Sequence, residues 1–103
     1  QLITESLRVT LMILTFKHKG LGNFFYTGNT AGIIAHHQKK LRLILGRLNA
    51  ATSVNDMKLP GLRLHQLEGN RKGTWSVAVN GNWRVTFMFN DGHAEVVDYE
   101  DYH

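Results

Sequence analysis

The sequence predicts a single α+β domain in which helices cover one face of a small sheet. With 103 residues, the chain is long enough for one modest core but too short for two domains. Apolar residues recur at helical spacing in the first half of the chain, whereas in the second half they alternate with polar residues, as in half-buried strands. One strand, two helices and a three-stranded antiparallel meander are therefore expected, in this order.

The first predicted element is a strand over Val9–Phe16, a segment rich in β-branched and aromatic residues. Met12 is a candidate for the initiating methionine of the natural protein. We therefore expect residues 1–11 to be an N-terminal extension, upstream of or foreign to the domain, and residues 12–103 to form the single domain.

The apolar run over residues 7–16 does not predict a membrane segment. Arg8 interrupts it, and it is far too short to span a bilayer. Lys17, His18 and Lys19 follow it in place of a small-residue cleavage site, so it is also a poor signal peptide. These features predict a soluble, cytoplasmic protein with no membrane partner.

Two helices are predicted next. The first covers Lys19–Thr27, although Gly20 and Gly22 lower its helical propensity. A glycine-rich break then precedes a second helix over Ile33–Thr52. Apolar residues recur along this helix at steps of three and four, which predicts a stripe facing the core: Ile34, His37, Leu41, Ile44, Leu45 and Leu48. The opposite face is basic, with His36, Lys39, Lys40, Arg42 and Arg47.

Strands follow a linker with one turn at Ser53–Leu59 and a stop at Pro60-Gly61. Period-two alternation predicts strands over Thr74–Val79, Trp83–Phe89 and His93–Tyr99, with a hairpin turn at Asp91-Gly92. In the middle strand the alternation separates an apolar face from a second face that carries Arg84, Thr86 and Met88. Trp75 and Trp83 are expected to belong to the core.

The charges are unevenly distributed. No acidic residue lies between Ser6 and Asn55, whereas seven of the eight acids lie at or after Asp56. The net charge is +4. A cationic surface of this kind favours a polyanionic partner such as nucleic acid, although a solvated surface or an acidic protein partner would also fit.

Several residues near the C-terminus suit chemistry on a phosphodiester. Histidine can transfer protons near neutral pH, and arginine can bind phosphate oxygens through two hydrogen bonds. Residues of both types are interleaved with an aromatic terminus: His65, Arg71, Arg84, Tyr102 and His103. Non-functional interpretations also exist. His65 could be an ordinary surface histidine, and His103 could be a disordered C-terminal residue.

Two further alternatives concern ion pairs and metals. Arg84 could pair across strands with Glu95. His36 and His37 are adjacent on the predicted helix and do not face one another, so they are a poor metal pair. The chain has no cysteine, which excludes thiolate sites and disulfides. We therefore predict neither a metal nor a cofactor.

The sequence from Met12 to His103 resembles the HigB-type killer proteins of plasmid-maintenance toxin–antitoxin modules, within the RelE/ParE superfamily. The similarity rests on the order and spacing of several short motifs: MILTFKHKGL from Met12, Gly69-Asn70-Arg71, Gly73-Thr74-Trp75-Ser76, Asn82-Trp83-Arg84-Val85 and the terminal Asp101-Tyr102-His103. It implies a RelE/ParE-like fold and a growth-inhibiting toxin.

The resemblance also implies an activity and partners. HigB-like toxins are endoribonucleases (mRNA interferases) that cut mRNA in the ribosomal A site without a metal. Such a toxin is held by a HigA-like helix-turn-helix antitoxin, and through that complex it is indirectly linked to operator DNA. The implied catalytic residues are His65, Arg71, Arg84, Asp101, Tyr102 and His103. The cations expected to contact the ribosome or RNA are Lys17, Lys19, Lys39, Lys40, Arg42, Arg47 and Lys72.

The sequence departs from the family pattern at two places. Relatives often carry a lysine where this chain has Glu68, and many carry an arginine at the position of Ala78 or Asn80. A missing cation weakens the stabilisation of a phosphate transition state, so either Arg63 or Lys72 compensates or the nuclease is slower. The alternative function is that of a ParE-like toxin, which inhibits DNA gyrase by binding. A plain nucleic-acid-binding module would account for the basic half but not for the histidines.

Overall fold

The computed structural model describes residues 13–101 of the chain. They form two α-helices and one antiparallel sheet. The helices are α1, Lys19–Thr27, and α2, Gln38–Ala50. The strands are β1, His65–Gln66; β2, Thr74–Asn80; β3, Trp83–Asn90; and β4, His93–Asp101. Single 3₁₀ turns lie at Ala35–His37, Val54–Met57 and Gly69–Arg71.

The predicted bounds of α1 are confirmed. The helix begins after His18, whose Nδ1 accepts a hydrogen bond from the Leu21 amide over 2.9 Å, as an N-cap side chain does. It ends at Gly28, which has the left-handed φ of 81° that favours glycine after a helix. Gly20 allows a close approach, because a Cβ there would lie 3.1 Å from the Gly32 Cα. The glycine that lowers helical propensity therefore lets the helix pack against the following loop.

Helix α2 is shorter than the predicted helix over Ile33–Thr52. At its start, Ile34 is extended and residues 35–37 form a 3₁₀ turn before the α-helix begins. At its end, the Asp56 carboxylate accepts hydrogen bonds from the Thr52 and Ser53 amides over 2.9 Å and 3.2 Å. These two amides therefore donate to the 3₁₀ turn that follows, and α2 does not extend through them. The apolar stripe is confirmed except at Ile34, which is half-buried while its neighbour Ile33 is buried.

The sheet has four strands, in the order β1-β2-β3-β4, and the prediction of three was wrong. The additional strand is β1, which pairs with β2 through only two residues. Both of those residues are exposed, so no alternation of apolar and polar residues marked them as a strand. The sheet contact continues irregularly on either side, where the Leu62 carbonyl accepts from Ala78 N and the Leu67 amide donates to Thr74 O.

The described part of the predicted first strand, residues 13–16, lies parallel to β4 but makes only isolated bridges. Ile13 pairs with Ala94 and Phe16 with Val97. The interruption has a cause in β4, which contains a bulge at Val96, a β-branched residue with the unusual φ of 53°. The Thr15 hydroxyl accepts a hydrogen bond from the Val96 amide over 2.8 Å. The rest of that predicted strand, Val9–Met12, lies outside the described residues.

The core lies between the helices and one face of the sheet. Leu21 and Phe24 of α1 and four residues of α2 (Leu41, Ile44, Leu45 and Leu48) are buried with Val77, Val85 and Phe87 of the sheet. Trp75 and Trp83 pack against this cluster, as predicted. Because the helices occupy one face, polar side chains can occupy the other.

Candidate active site

The strand register places two predicted site residues on the same face of the sheet. His65 is opposite Ser76, which is opposite Thr86. Two residues further along β2, and therefore on the same face, Ala78 is opposite Arg84. Side chains of directly opposed residues in antiparallel strands share a face. This face is the one away from the core, because Val77, Val85 and Phe87 alternate with these residues and are buried between the sheet and the helices.

The ring of His65 is exposed and oriented by the backbone. Its Nδ1 lies 3.1 Å from the Arg63 carbonyl oxygen. A carbonyl can only accept, so Nδ1 carries the proton in this contact and Nε2 of the neutral ring is left as the acceptor. A neutral imidazole with a free acceptor nitrogen is the form that a general base requires.

Arg84 is half-buried on β3. Its Nη1 donates to the carbonyl oxygens of Gly81 and Trp83, at 3.0 Å and 3.2 Å. Both acceptors are neutral carbonyl groups. Among the described residues, these hydrogen bonds therefore position the guanidinium without pairing its charge with a carboxylate. The alternative pairing with Glu95 was wrong. In the register set by the β3–β4 hairpin, Glu95 is opposite Met88, and its carboxylate accepts from the Asn90 amide group over 2.6 Å.

Arg71 closes the 3₁₀ turn between β1 and β2 and binds the carboxylate of Glu100. Its Nη1 and Nη2 donate to the two carboxylate oxygens over 2.9 Å and 2.7 Å. The Thr86 hydroxyl donates to Oε2 of the same carboxylate over 2.5 Å. The hydrogen bond from Arg71 is the main cause that lowers the pKa of Glu100, with smaller contributions from Thr86 and from the charge of Lys17, against the opposing effect of burial.

A cleft of about 230 Å³ opens beside this ion pair. Lys17 and Arg71 line it together with Thr86, Met88 and Asp98. Two predicted cations therefore meet at the cleft, on the same face as His65 and Arg84. Between those two residues the sheet carries only the small side chains of Ser76 and Ala78, and both are buried. The accessible parts of this face are therefore the cleft and the exposed ring of His65.

The other predicted binding residues lie elsewhere. Lys39, Arg42 and Arg47 are exposed on α2, in the helical layer behind the sheet, and Lys19 is exposed at the start of α1. Lys40 is half-buried, with Nζ 3.5 Å from the Gly61 carbonyl oxygen. Lys72 is exposed and, with Glu68, lines a pocket of about 140 Å³.

Asp101 is the last residue of β4 and is exposed. The predicted catalytic residues Tyr102 and His103 lie outside the described residues. Among residues 13–101, no three His, Asp or Glu side chains form a group that could hold a metal ion. None of the helices in the same range has the length and apolar character needed to cross a membrane.

Sequence reasoning missed Glu100 and Thr86, the two partners that join Arg71 to the sheet. Without a bulge, strict alternation would put Ala94 and Val97 on opposite faces of β4. Both are buried in the core, and this requires one extra residue between them. The sequence signal was the pair Val96-Val97, two β-branched residues side by side between Ala94 and Tyr99.

The sequence model of one protein family matches residues 14–103, and it describes a RelE-like toxin of type II toxin–antitoxin system HigB. The chain belongs to the HigB-like toxins. Membership in this family implies an antitoxin as partner, and it confirms the resemblance found in the sequence.

Two curated relatives of this HigB-like toxin are similar over most of its length. One is the protein named Endoribonuclease HigB of Proteus vulgaris, 41% identical over 92 residues that cover 89% of this chain and 100% of that protein. The other is Toxin HigB-1 of Vibrio cholerae serotype O1, 36% identical over 85 residues that cover 81% of this chain and 90% of that protein.

Proposed function

We propose that this HigB-like toxin is an endoribonuclease that cuts mRNA in the ribosomal A site without a metal ion. The observation that carries the proposal is the arrangement of the exposed His65 and the half-buried Arg84 on one face of the sheet, which also carries a cleft lined by Lys17 and Arg71. This surface offers a proton acceptor and several cations to a phosphodiester. The name of the Proteus vulgaris relative supports the same activity.

The proposed reaction uses the RNA's own 2′-hydroxyl as the nucleophile. His65 Nε2 accepts the hydroxyl proton while the 2′-oxygen attacks the adjacent phosphorus. The bond from phosphorus to the 5′-oxygen then breaks, and this oxygen takes a proton from His103. The products are a 2′,3′-cyclic phosphate and a 5′-hydroxyl, so neither water nor an oxidant is consumed.

The cations stabilise the charge that develops on the phosphoryl oxygens. In this proposal Arg84 contacts the phosphate directly, since neutral carbonyls hold its guanidinium in place. Lys17 adds positive charge at the cleft. Tyr102 stacks on a base or hydrogen-bonds the phosphate, and Asp101 orients a histidine.

The basic side of the helical layer is proposed to contact ribosomal RNA. Lys19, Lys39, Arg42 and Arg47 are exposed on the helices, away from the sheet surface that carries His65. Lys40 and Lys72 are the other proposed contacts. This arrangement allows the toxin to bind ribosomal RNA with one layer while the mRNA lies against the other. Such a toxin acts in the cytoplasm, where a HigA-like antitoxin neutralises it and links it to operator DNA.

The alternative, gyrase inhibition by a ParE-like toxin, receives less support. The family description names a HigB toxin, and the Proteus vulgaris relative is named an endoribonuclease. Gyrase binding would also give no role to the exposed, oriented ring of His65.

The test is to induce the wild type and His103→Ala in cells and to map mRNA 5′ ends with and without a translation block. We expect cuts that keep the reading frame, occur only during translation and are absent from the variant. Growth arrest without cuts would overturn the proposal, and gyrase-dependent DNA damage in its place would support the alternative.

A further inference from the structure

Glu100 is an acid in a place where a nuclease should avoid one. Its carboxylate lies on the sheet face that is proposed to bind a phosphodiester, directly opposite Arg84 in the strand register. A carboxylate does not help to bind a phosphodiester, because like charges repel. The place of Glu100 opposite Arg84 therefore suggests a role other than substrate binding.

The contacts of Glu100 join three parts of the fold. Arg71 reaches it from the turn between β1 and β2, through two parallel hydrogen bonds of 2.9 Å and 2.7 Å. Thr86 reaches it from β3 over 2.5 Å. The side chain of Glu100 is only 22% exposed. Paired hydrogen bonds between a guanidinium and a carboxylate fix both distance and orientation, so the end of β4 is held at one position relative to β3 and to the turn.

We propose that Arg71 and Glu100 are positioning residues, which together hold the end of β4 against β3, opposite Arg84, and against the turn that follows β1. This inference rests on the proposed function, because it assumes that Arg84 acts on the phosphate during cleavage. This positioning role differs from the catalytic role that the sequence predicts for Arg71. The positive charge of Arg71 is already balanced by a carboxylate, so its main contribution is geometric, whereas Arg84 serves the phosphate.

The inference separates two kinetic parameters. In Glu100→Gln the substrate site loses a negative charge, so the KM for ribosome-bound mRNA stays the same or falls. The kcat falls, because a displacement of about 1 Å in catalytic groups can cost on the order of 100-fold. A purely structural role would instead lower the thermal stability without a fall in kcat at an unchanged or lower KM.

Three variants and one control form the experiment. Glu100→Gln removes the charge of the acid, Arg71→Lys keeps the positive charge but removes the paired geometry, and the double variant tests their coupling. We expect both single variants to lose kcat, and the double variant to be no slower than the slower single one, since the two residues act as a unit. Glu95→Gln is the matched control, because Glu95 lies on the same strand and face but binds Asn90.

A second measurement does not depend on activity. Amide hydrogen exchange at Tyr99 and Asp101 should be faster in Glu100→Gln and Arg71→Lys than in the wild type, and unchanged in Glu95→Gln. Wild-type kcat and wild-type exchange in Glu100→Gln would overturn the proposal. So would a slow Arg71→Lys beside a normal Glu100→Gln, since Arg71 would then act on the RNA itself.

The two proposals can fail separately. If the wild type makes no ribosome-dependent cuts, the proposed nuclease function fails, and the exchange rates still decide whether the pair fixes the end of β4. If the wild type cuts but Glu100→Gln cuts equally fast, only the positioning role fails.

Discussion

His65 and Arg84 lie on the same face of the sheet, and only small side chains occupy the strand between them. Ser76 is the partner of His65, and Ala78 is the partner of Arg84, on the single intervening strand. Two strand spacings and an offset of two residues along the strands put the backbones of His65 and Arg84 roughly 12 Å apart. We propose that two extended side chains and a phosphodiester fill this distance.

His65→Ala should abolish most of the cleavage without affecting the fold. We expect the rate on ribosome-bound mRNA to fall by ~10²–10⁴-fold, the range for loss of a general acid or base. The free energy of unfolding should stay within about 0.5 kcal/mol of the wild type, because the side chain is exposed. Single-turnover kinetics and urea unfolding measure the two quantities. His36→Ala is the matched control, an exposed histidine on the helical side, and equal loss of rate in both variants would contradict the role of His65.

Arg84→Lys should lower the rate of cleavage far more than it lowers binding to the ribosome. Lysine keeps the charge but loses the planar, two-pronged donor that suits a phosphate. Removal of a comparable preorganised donor costs on the order of 3 kcal/mol in the transition state. The rate at saturating toxin and the Kd for ribosomes, measured separately, distinguish the effects. If the Kd rises in proportion to the loss of rate, Arg84 is a binding residue only.

The stability should fall between pH 7 and pH 5 because of His37. This residue is 2% exposed, and its Nδ1 lies 2.6 Å from the Tyr99 hydroxyl. Burial, with a smaller contribution from the charge of His36, lowers the pKa of His37 below 6.5. The unfolded chain therefore binds the proton more readily than the folded one. The contribution is fully present above the unfolded pKa and is lost as the pH falls through the folded pKa.

Thermal unfolding at a series of pH values measures this effect. In His37→Gln the slope between pH 7 and pH 5 should flatten, although the variant is less stable overall, while His36→Gln should keep most of the slope. Glu100 also has a lowered pKa, but its contribution is lost only at more acidic pH. An unchanged slope in His37→Gln would assign the effect to another group.

Val96→Gly should stabilise the protein. Val96 has a φ of 53° and is 41% exposed. A β-branched residue in this region of the Ramachandran plot carries strain of about 1–3 kcal/mol, which glycine avoids, and little buried apolar area is lost. We expect the free energy of unfolding to rise by about 1 kcal/mol in urea. Val97→Gly is the matched comparison, because Val97 is fully buried and its loss should destabilise the core. A destabilised Val96→Gly would show that the bulge does not require the strained conformation.

Much of this fold could be predicted from periodicity, and the failures share one cause. The bounds of α1 and the presence of three long strands followed from local patterns, because each element has its own apolar spacing. The short strand β1 has no such pattern, since both His65 and Gln66 face solvent. The bulge at Val96 shifts the register of β4 by one residue, so Glu100 lies opposite Arg84 in place of Tyr99. Local patterns cannot give the register between strands, on which the partners of Arg71 and Arg84 depend.

The candidate site was predicted in its residue types more than in its contacts. Histidine and arginine identify chemistry on a phosphate from the sequence alone. The hydrogen bond from Arg71 to Glu100 joins residues that are 29 positions apart, and no local rule connects them. The family resemblance named the residues of the site, whereas the register showed which of them lie on one face.

The segment before α1 also protects the sheet from self-association. The outer edge of β4 is hydrogen-bonded to this segment, through Leu14 N to Ala94 O, Val97 N to Thr15 O and Lys17 N to Val97 O. At the opposite edge β1 is only two residues long. Long unpaired strand edges are the usual template for edge-to-edge aggregation. Within the described part of the chain, a toxin released from its antitoxin thus exposes little unpaired strand edge to other copies, so its released form is protected from edge-to-edge aggregation.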